Sequence, residues 1–123
     1  MRQKKKFALY MRFNQGLTYD ENKKIILEYF KKIRAKGNFA FGRVYYDEGK
    51  RSREGLNGLI KDCQKGEFDI IYIRGIRDLK LNISDTIRLI RELIDGKHRV
   101  DVVFMNENIN TFYLTKSSDY GNM

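Results

Sequence analysis

Seven cations fall in three short stretches of this chain: Arg12, then Lys50, Arg51 and Arg53, then Arg74, Arg77 and Lys80. Asp47, Glu48 and Asp78 sit among them, with Glu107 further on. A guanidinium presents two parallel N–H donors that match two phosphate oxygens. Several arginines converging from separate loops can grip one phosphate and offset charge that builds on it during transfer. The same residues leave a second reading open, in which the arginines are solvated or paired with Asp47, Glu48 and Asp78.

Other chemistries find less support. A nucleotide-binding phosphate loop needs glycines and a Lys-Ser/Thr pair after the first strand, and Asn14-Gln15-Gly16 is not that. No dinucleotide fingerprint occurs. A phospho-receiver needs acids after the first strand and an Asp after the third, where this chain has Arg12 and Arg74. The single cysteine, Cys63, lies in a helical pattern far in sequence from the single histidine, His98, and is read as structural. One Cys and one His do not supply a zinc ligand set. No metal or cofactor is expected.

These loops need a scaffold to bring them together. The apolar run Phe7–Phe13 reads as a buried strand closed by Asn14-Gln15-Gly16. Thr18 or Asp20 can cap a helix carrying Ile25, Ile26, Tyr29, Phe30 and Ile33, which Gly37 stops. Residues 39–46 form a second strand. Leu56, Leu59, Ile60 and Cys63 mark a short helix ending near Gly66. Residues 68–73 are apolar nearly throughout, as a parallel strand covered on both faces must be. Gly75 to Lys80 reads as a loop. A strong helix follows through Ile94, with Asn82 or Ser84 as cap and Gly96 at its end, and then a fourth strand over 100–105. From Asn106 the pattern decays into a polar tail. The order βαβαβαβ predicts a three-layer α/β/α domain on a mainly parallel four-stranded sheet. In such sheets the functional site lies beyond the carboxyl ends of the strands, where the cations of the first paragraph fall.

The net charge is +9 over 123 residues, which favours a polyanionic partner, nucleic acid being the commonest. No apolar run approaches the ~20 residues of a membrane span. The run 7–13 is too short and interrupted for a signal peptide, so a cytoplasmic, non-membrane protein is expected.

Tyr10-Met11-Arg12-Phe13-Asn14 resembles the Tyr-x-Arg-x-Ser motif that ends the first strand of serine site-specific recombinases, the resolvase/invertase family. The resemblance continues through Tyr46-Asp47-Glu48-Gly49. Ser52-Arg53-Glu54-Gly55-Leu56 is similar to the family's Asp-Arg-Pro-Gly-Leu. Lys65 to Ile71 is like its run into the third strand, and Ile109-Asn110-Thr111 resembles its Ile-Asp-Thr. The resemblance implies a resolvase-like catalytic domain over residues 1–111. Residues 112–123 would be a polar tail leading toward a dimer helix that the sequence lacks. It also implies DNA as partner, in recombination or integration. Strands are cleaved by a serine that becomes phosphoserine-linked to DNA, arginines bind the scissile phosphate, and no metal or nucleotide is used. Members usually act as dimers that pair into tetramers.

Carried over residue by residue, the resemblance makes Arg12 and Arg53 phosphate ligands; by their place in the same strand-end loops, Arg51, Arg74, Arg77 and Lys80 are expected as further DNA-phosphate contacts. The nucleophile position is Asn14, whose amide nitrogen is delocalised and cannot attack phosphorus. The family's Asp-Arg-Leu-x-Arg aligns without gaps to Arg77-Asp78-Leu79-Lys80-Leu81. That match exchanges the Asp and first Arg and puts Leu81 on the last Arg. A one-residue shift would instead set Arg77 and Lys80 on the two arginine positions. Under either register the site is degenerate, and the expected protein is a pseudoenzyme that binds DNA backbone, as a homodimer or beside an active recombinase. The family's dimer helix would begin where this sequence stops, so it is read as a fragment of a longer protein. The other reading is a protein lacking both the helix and the DNA reader. Competing readings are an active enzyme using Ser52 or Thr18, and a basic interaction module for a protein or RNA partner.

Overall fold

The computed structural model describes residues 4–14 and 16–115. Its central strand is β1 (Lys5–Phe13), flanked by β2 (Phe39–Glu48) and β3 (Ile70–Ile73). Beyond β3 lies β4 (Asp101–Phe104), and at the edge β5 (Ile109–Asn110), giving the order β2-β1-β3-β4-β5. The first four strands are parallel, and β5 is antiparallel to β4.

Alternation along β1 divides the core into two layers. Phe7, Leu9, Met11 and Phe13 face one side, where α1 (Tyr19–Arg34) brings Ile25, Ile26, Tyr29, Phe30 and Ile33. Ala8 and Tyr10 face the other, with Leu56, Leu59 and Cys63 of α2 (Glu54–Gln64) and Leu89 and Leu93 of α3 (Ile83–Asp95). Both faces of β1 are therefore covered, which is why its sequence is apolar without a polar stripe. Burial pushes the Cys63 thiol up to about 12, so it stays a protonated core thiol, in keeping with a structural role.

The helix starts follow local chemistry. Thr18 and Glu21 form a capping box on α1, and Asn82 rather than Ser84 caps α3, its Oδ1 accepting from the Asp85 N–H at 2.7 Å. α1 ends at Arg34, capped by Ala35, two residues before Gly37.

Two sequence expectations need correction. The sheet has five strands, not four. Asn108 adopts left-handed backbone (φ 55°), a conformation asparagine tolerates, and turns the chain so that Ile109 pairs Phe104 and Asn110 pairs Val103. A two-residue strand has no alternation to read. Buried Thr111 anchors it: its hydroxyl accepts from the Val102 N–H and donates to Asp101. The expected loop at Gly75–Lys80 holds a 3-10 turn over Ile76–Leu79, with Leu79 fully buried and Lys80 left-handed at its end. From residue 116 onward the expected polar tail lies outside the described residues. No helix among the described residues is long and apolar enough to cross a membrane.

Candidate DNA-backbone site

The carboxyl ends of β1, β2 and β3 bring the sequence-selected residues to one edge of the sheet. The parallel register sets Arg12 beside Asp47 and Tyr10 beside Tyr45 on one flank. It sets Tyr10 beside Ile73 on the other, so Arg74 follows directly. These residues form two groups with different chemistry.

The inner group is closed. Arg12 is 5% exposed, and its guanidinium is spent on the protein. Nε donates to the Asp78 carbonyl at 2.8 Å. Nη1 donates to the carbonyls of Gly49 and Ser52 at 2.9 and 2.7 Å, and Nη2 to the Tyr10 hydroxyl at 3.1 Å. Asp47 Oδ2 lies 3.9 Å from Nη2 as the nearest countercharge. One buried guanidinium thus ties together the loops after β2 and β3.

Asp47 is the matching anion. Its Oδ1 accepts from Ser52 Oγ and the Gly55 N–H, both at 2.8 Å. Its Oδ2 accepts from the Tyr10 hydroxyl at 2.7 Å and the Leu56 N–H at 3.0 Å. Burial pushes the carboxyl up, but these four donors outweigh it and hold Asp47 below the usual carboxylate range. Tyr10 moves the other way, raised by burial and by the adjacent carboxylate, so it remains a hydroxyl donor. Arg53 at the start of α2 makes no side-chain cap, and Asp47 supplies it from β2.

Arg53 and Arg74 are similarly engaged. Arg53 donates to the carbonyls of Leu79 and Lys80 at 2.7 and 2.5 Å, fixing the left-handed end of the 3-10 turn. Arg74 pairs with Asp78 at 2.8 Å, donates to the Arg12 carbonyl and stacks over Phe13. Glu107 accepts from the Ile76 N–H. The paired alternative left open by the sequence therefore holds for Arg12 and Arg74, with Asp47 and Asp78 as their acids.

The outer group is open. Asn14, Glu48, Gly49, Lys50, Arg51 and Ser52 line a cleft of about 590 Å³. Asn14, Lys50, Arg51, Arg77 and Lys80 are exposed, and their side chains have no hydrogen bond or ion pair among the described residues. Within the cleft the Ser52 hydroxyl donates to Asp47 Oδ1. Thr18, the other hydroxyl considered, caps α1.

Tyr10 was missed as a site residue. A tyrosine inside an apolar central strand needs a partner for its hydroxyl, and that was the available signal. Asp47 was read only as a possible partner for arginine, and its place at the start of a helix was the sign of a cap.

Residues 8–122 match the family model described as Resolvase, N terminal domain. The chain belongs to the resolvase family. The resolvase domain also resembles solved structures. The N-terminal catalytic domain of TP901-1 integrase superposes with a TM-score of 0.65 at 24% identity, over 96% of this chain and 90% of that one. A resolvase family site-specific recombinase from Streptococcus pneumoniae gives 0.67 at 18% identity, over 89% and 78%. At these identities the two structures establish the fold. No curated protein sequence matches the resolvase domain. Membership of the resolvase family makes this a recombinase-type domain of DNA recombination, with DNA as its partner.

Proposed function

We propose that this resolvase domain grips DNA backbone across the carboxyl edge of its sheet within a recombination assembly and does not itself cleave. The observation that carries the reading is Asn14, a carboxamide exposed in a cation-lined cleft at the end of β1. The amide nitrogen lone pair is delocalised into the carbonyl, and the side chain offers no hydroxyl or thiol to activate for attack on phosphorus. Ser52 is a poor substitute, because Asp47 is kept ionised by four donors and is a weak base toward the Ser52 hydroxyl.

The grip falls to the unpartnered cations Lys50, Arg51, Arg77 and Lys80. Arg12, Arg53 and Arg74 act as positioning residues that hold the loops bearing those cations. Asp78 belongs to the same frame, as the acid that fixes Arg74. Buried Leu79 supports the ungapped match to the family's Asp-Arg-Leu-x-Arg, since that register sets leucine on leucine. The domain then works beside a cleavage-competent recombinase or a second copy of itself.

The test incubates the full chain with labelled duplexes carrying candidate recombination sites. Binding that weakens steeply with salt and leaves no covalent adduct is the expected result. A phosphoserine-linked protein–DNA adduct overturns the inactive assignment, and its loss in S52A would name Ser52 as nucleophile. A flat binding curve at low salt would favour a protein or RNA partner instead.

A further inference from the structure

A second pocket adjoins the cleft and shares Glu48 with it. It has a volume of about 170 Å³ and is lined by Tyr19, Asn22, Lys23, Ile26, Tyr46 and Glu48. Three features of these residues have no role in the fold. Asn22 is 7% exposed, yet its Oδ1 is buried without a donor, and its Nδ2 has no acceptor among the described residues. Buried polar groups are nearly always paired, which makes the unpartnered Oδ1 of Asn22 informative.

Tyr19 and Tyr46 are 76% and 47% exposed, although large aromatic side chains are favoured in the core. The Tyr46 ring is steadied at its edge by Phe13, with centroids 6.0 Å apart. The Glu48 carboxylate has no ion pair among the described residues, although the chain carries a net charge of +9.

Two aromatic faces, an amide with a free donor and acceptor, and a free carboxylate acceptor describe a site for a flat π-system edged with hydrogen-bonding groups. Aromatic side chains stack on unpaired bases whatever the sequence. An asparagine amide pairs with an adenine edge, and a carboxylate accepts from a cytosine amino group. Thymine alone of the four DNA bases has no exocyclic amino group to give Glu48. Lys23 at the rim is placed for the phosphate that flanks such a base.

We infer that the pocket lined by Tyr19 and Tyr46 receives an unstacked base bearing an exocyclic amino group, such as adenine or cytosine, from the DNA strand held at the neighbouring cleft. This rests on the DNA-backbone reading above, because the pocket opens beside that cleft. Asn22 and Glu48 select the amino-bearing base, and the two tyrosines hold its faces.

The test uses fluorescence anisotropy of labelled single-stranded dA, dC and dT decamers with the full chain at low salt. The dA and dC tracts are expected to bind about fivefold or more tighter than dT. N22L keeps the shape of the buried side chain, so it should erase that preference while leaving the melting temperature unchanged or higher. Y19A alters an exposed ring and should weaken all three tracts at least about fivefold. Equal or inverted affinities for the tracts, with DNA still bound, overturn the base pocket and leave the backbone reading standing. No binding to any tract or to duplex DNA overturns both.

Discussion

The Tyr10 hydroxyl donates to Asp47 Oδ2 at 2.7 Å while accepting from Arg12 Nη2 at 3.1 Å. That one oxygen joins a buried cation to a buried anion on adjacent strands, and the anion in turn caps α2. The Tyr-x-Arg pair thus owes its spacing to geometry. Residues two apart on a strand share a face, so the arginine reaches back over the tyrosine.

Removing that oxygen should cost stability. Y10F keeps the ring in the core but leaves Asp47 short of a donor and Arg12 short of an acceptor. Urea unfolding should report a loss of about 1–3 kcal/mol with little change in the slope of the transition. An unchanged midpoint would mean the hydroxyl bonds contribute nothing net.

Acid should weaken the domain through Asp47. Its folded pKa lies below the ordinary value of 3.8, so its contribution is fully present above that value. The contribution is lost as pH falls from about 4 through the lowered folded pKa. D47N should show a lower stability at pH 7 and lack that part of the acid slope. Parallel pH profiles for parent and variant would count against this account.

Gly55 is fixed by close approach. A Cβ there would lie 2.2 Å from the Tyr46 carbonyl oxygen, a backbone atom that cannot swing aside. G55A should therefore push α2 away from β2, loosen the Gly55 N–H bond to Asp47 and lower stability by about 1–3 kcal/mol. Thermal unfolding measures the cost.

DNA affinity should divide along the line between open and closed cations. R51A combined with R77A removes two unpartnered charges and should lower the log–log salt slope of duplex binding by about 2, with the melting temperature nearly unchanged. R12K should do the reverse. A single ammonium cannot serve the four diverging acceptors of Arg12, so stability falls by about 1–3 kcal/mol or more while the salt slope stays. The same anisotropy titrations and melts separate the two outcomes.

Much of the scaffold was legible in the sequence because its signals are local. The mostly apolar runs of β1 and β3, the helical spacing of α1 and α3, and cap candidates that include Thr18 and Asn82 each announce themselves within a few residues. β5 escaped because two residues carry no period, and its turn depends on the left-handed Asn108. The 3-10 turn at Ile76–Leu79 escaped because its hydrogen bonds come partly from Arg53 and Glu107, which are distant in sequence.

For the site, the sequence by itself determined which residues gather at the strand ends, because strand order suffices for that. The proposal that Asn14 stands at the nucleophile position rests on the resemblance of Tyr10 to Asn14 to the family's first-strand motif. The sequence could not sort the arginines. Arg12, Arg53 and Arg74 are closed, and Arg51 and Arg77 open, according to which carbonyls and carboxylates of other loops come within reach. That is decided only when β1, β2 and β3 are set side by side. The same assembly turned Asp47 from a candidate surface partner into a buried cap, and left Asn22 Oδ1 buried without a partner. A charge or an amide has a fixed chemistry in the chain, but whether it is spent or available depends on neighbours that only the tertiary structure brings.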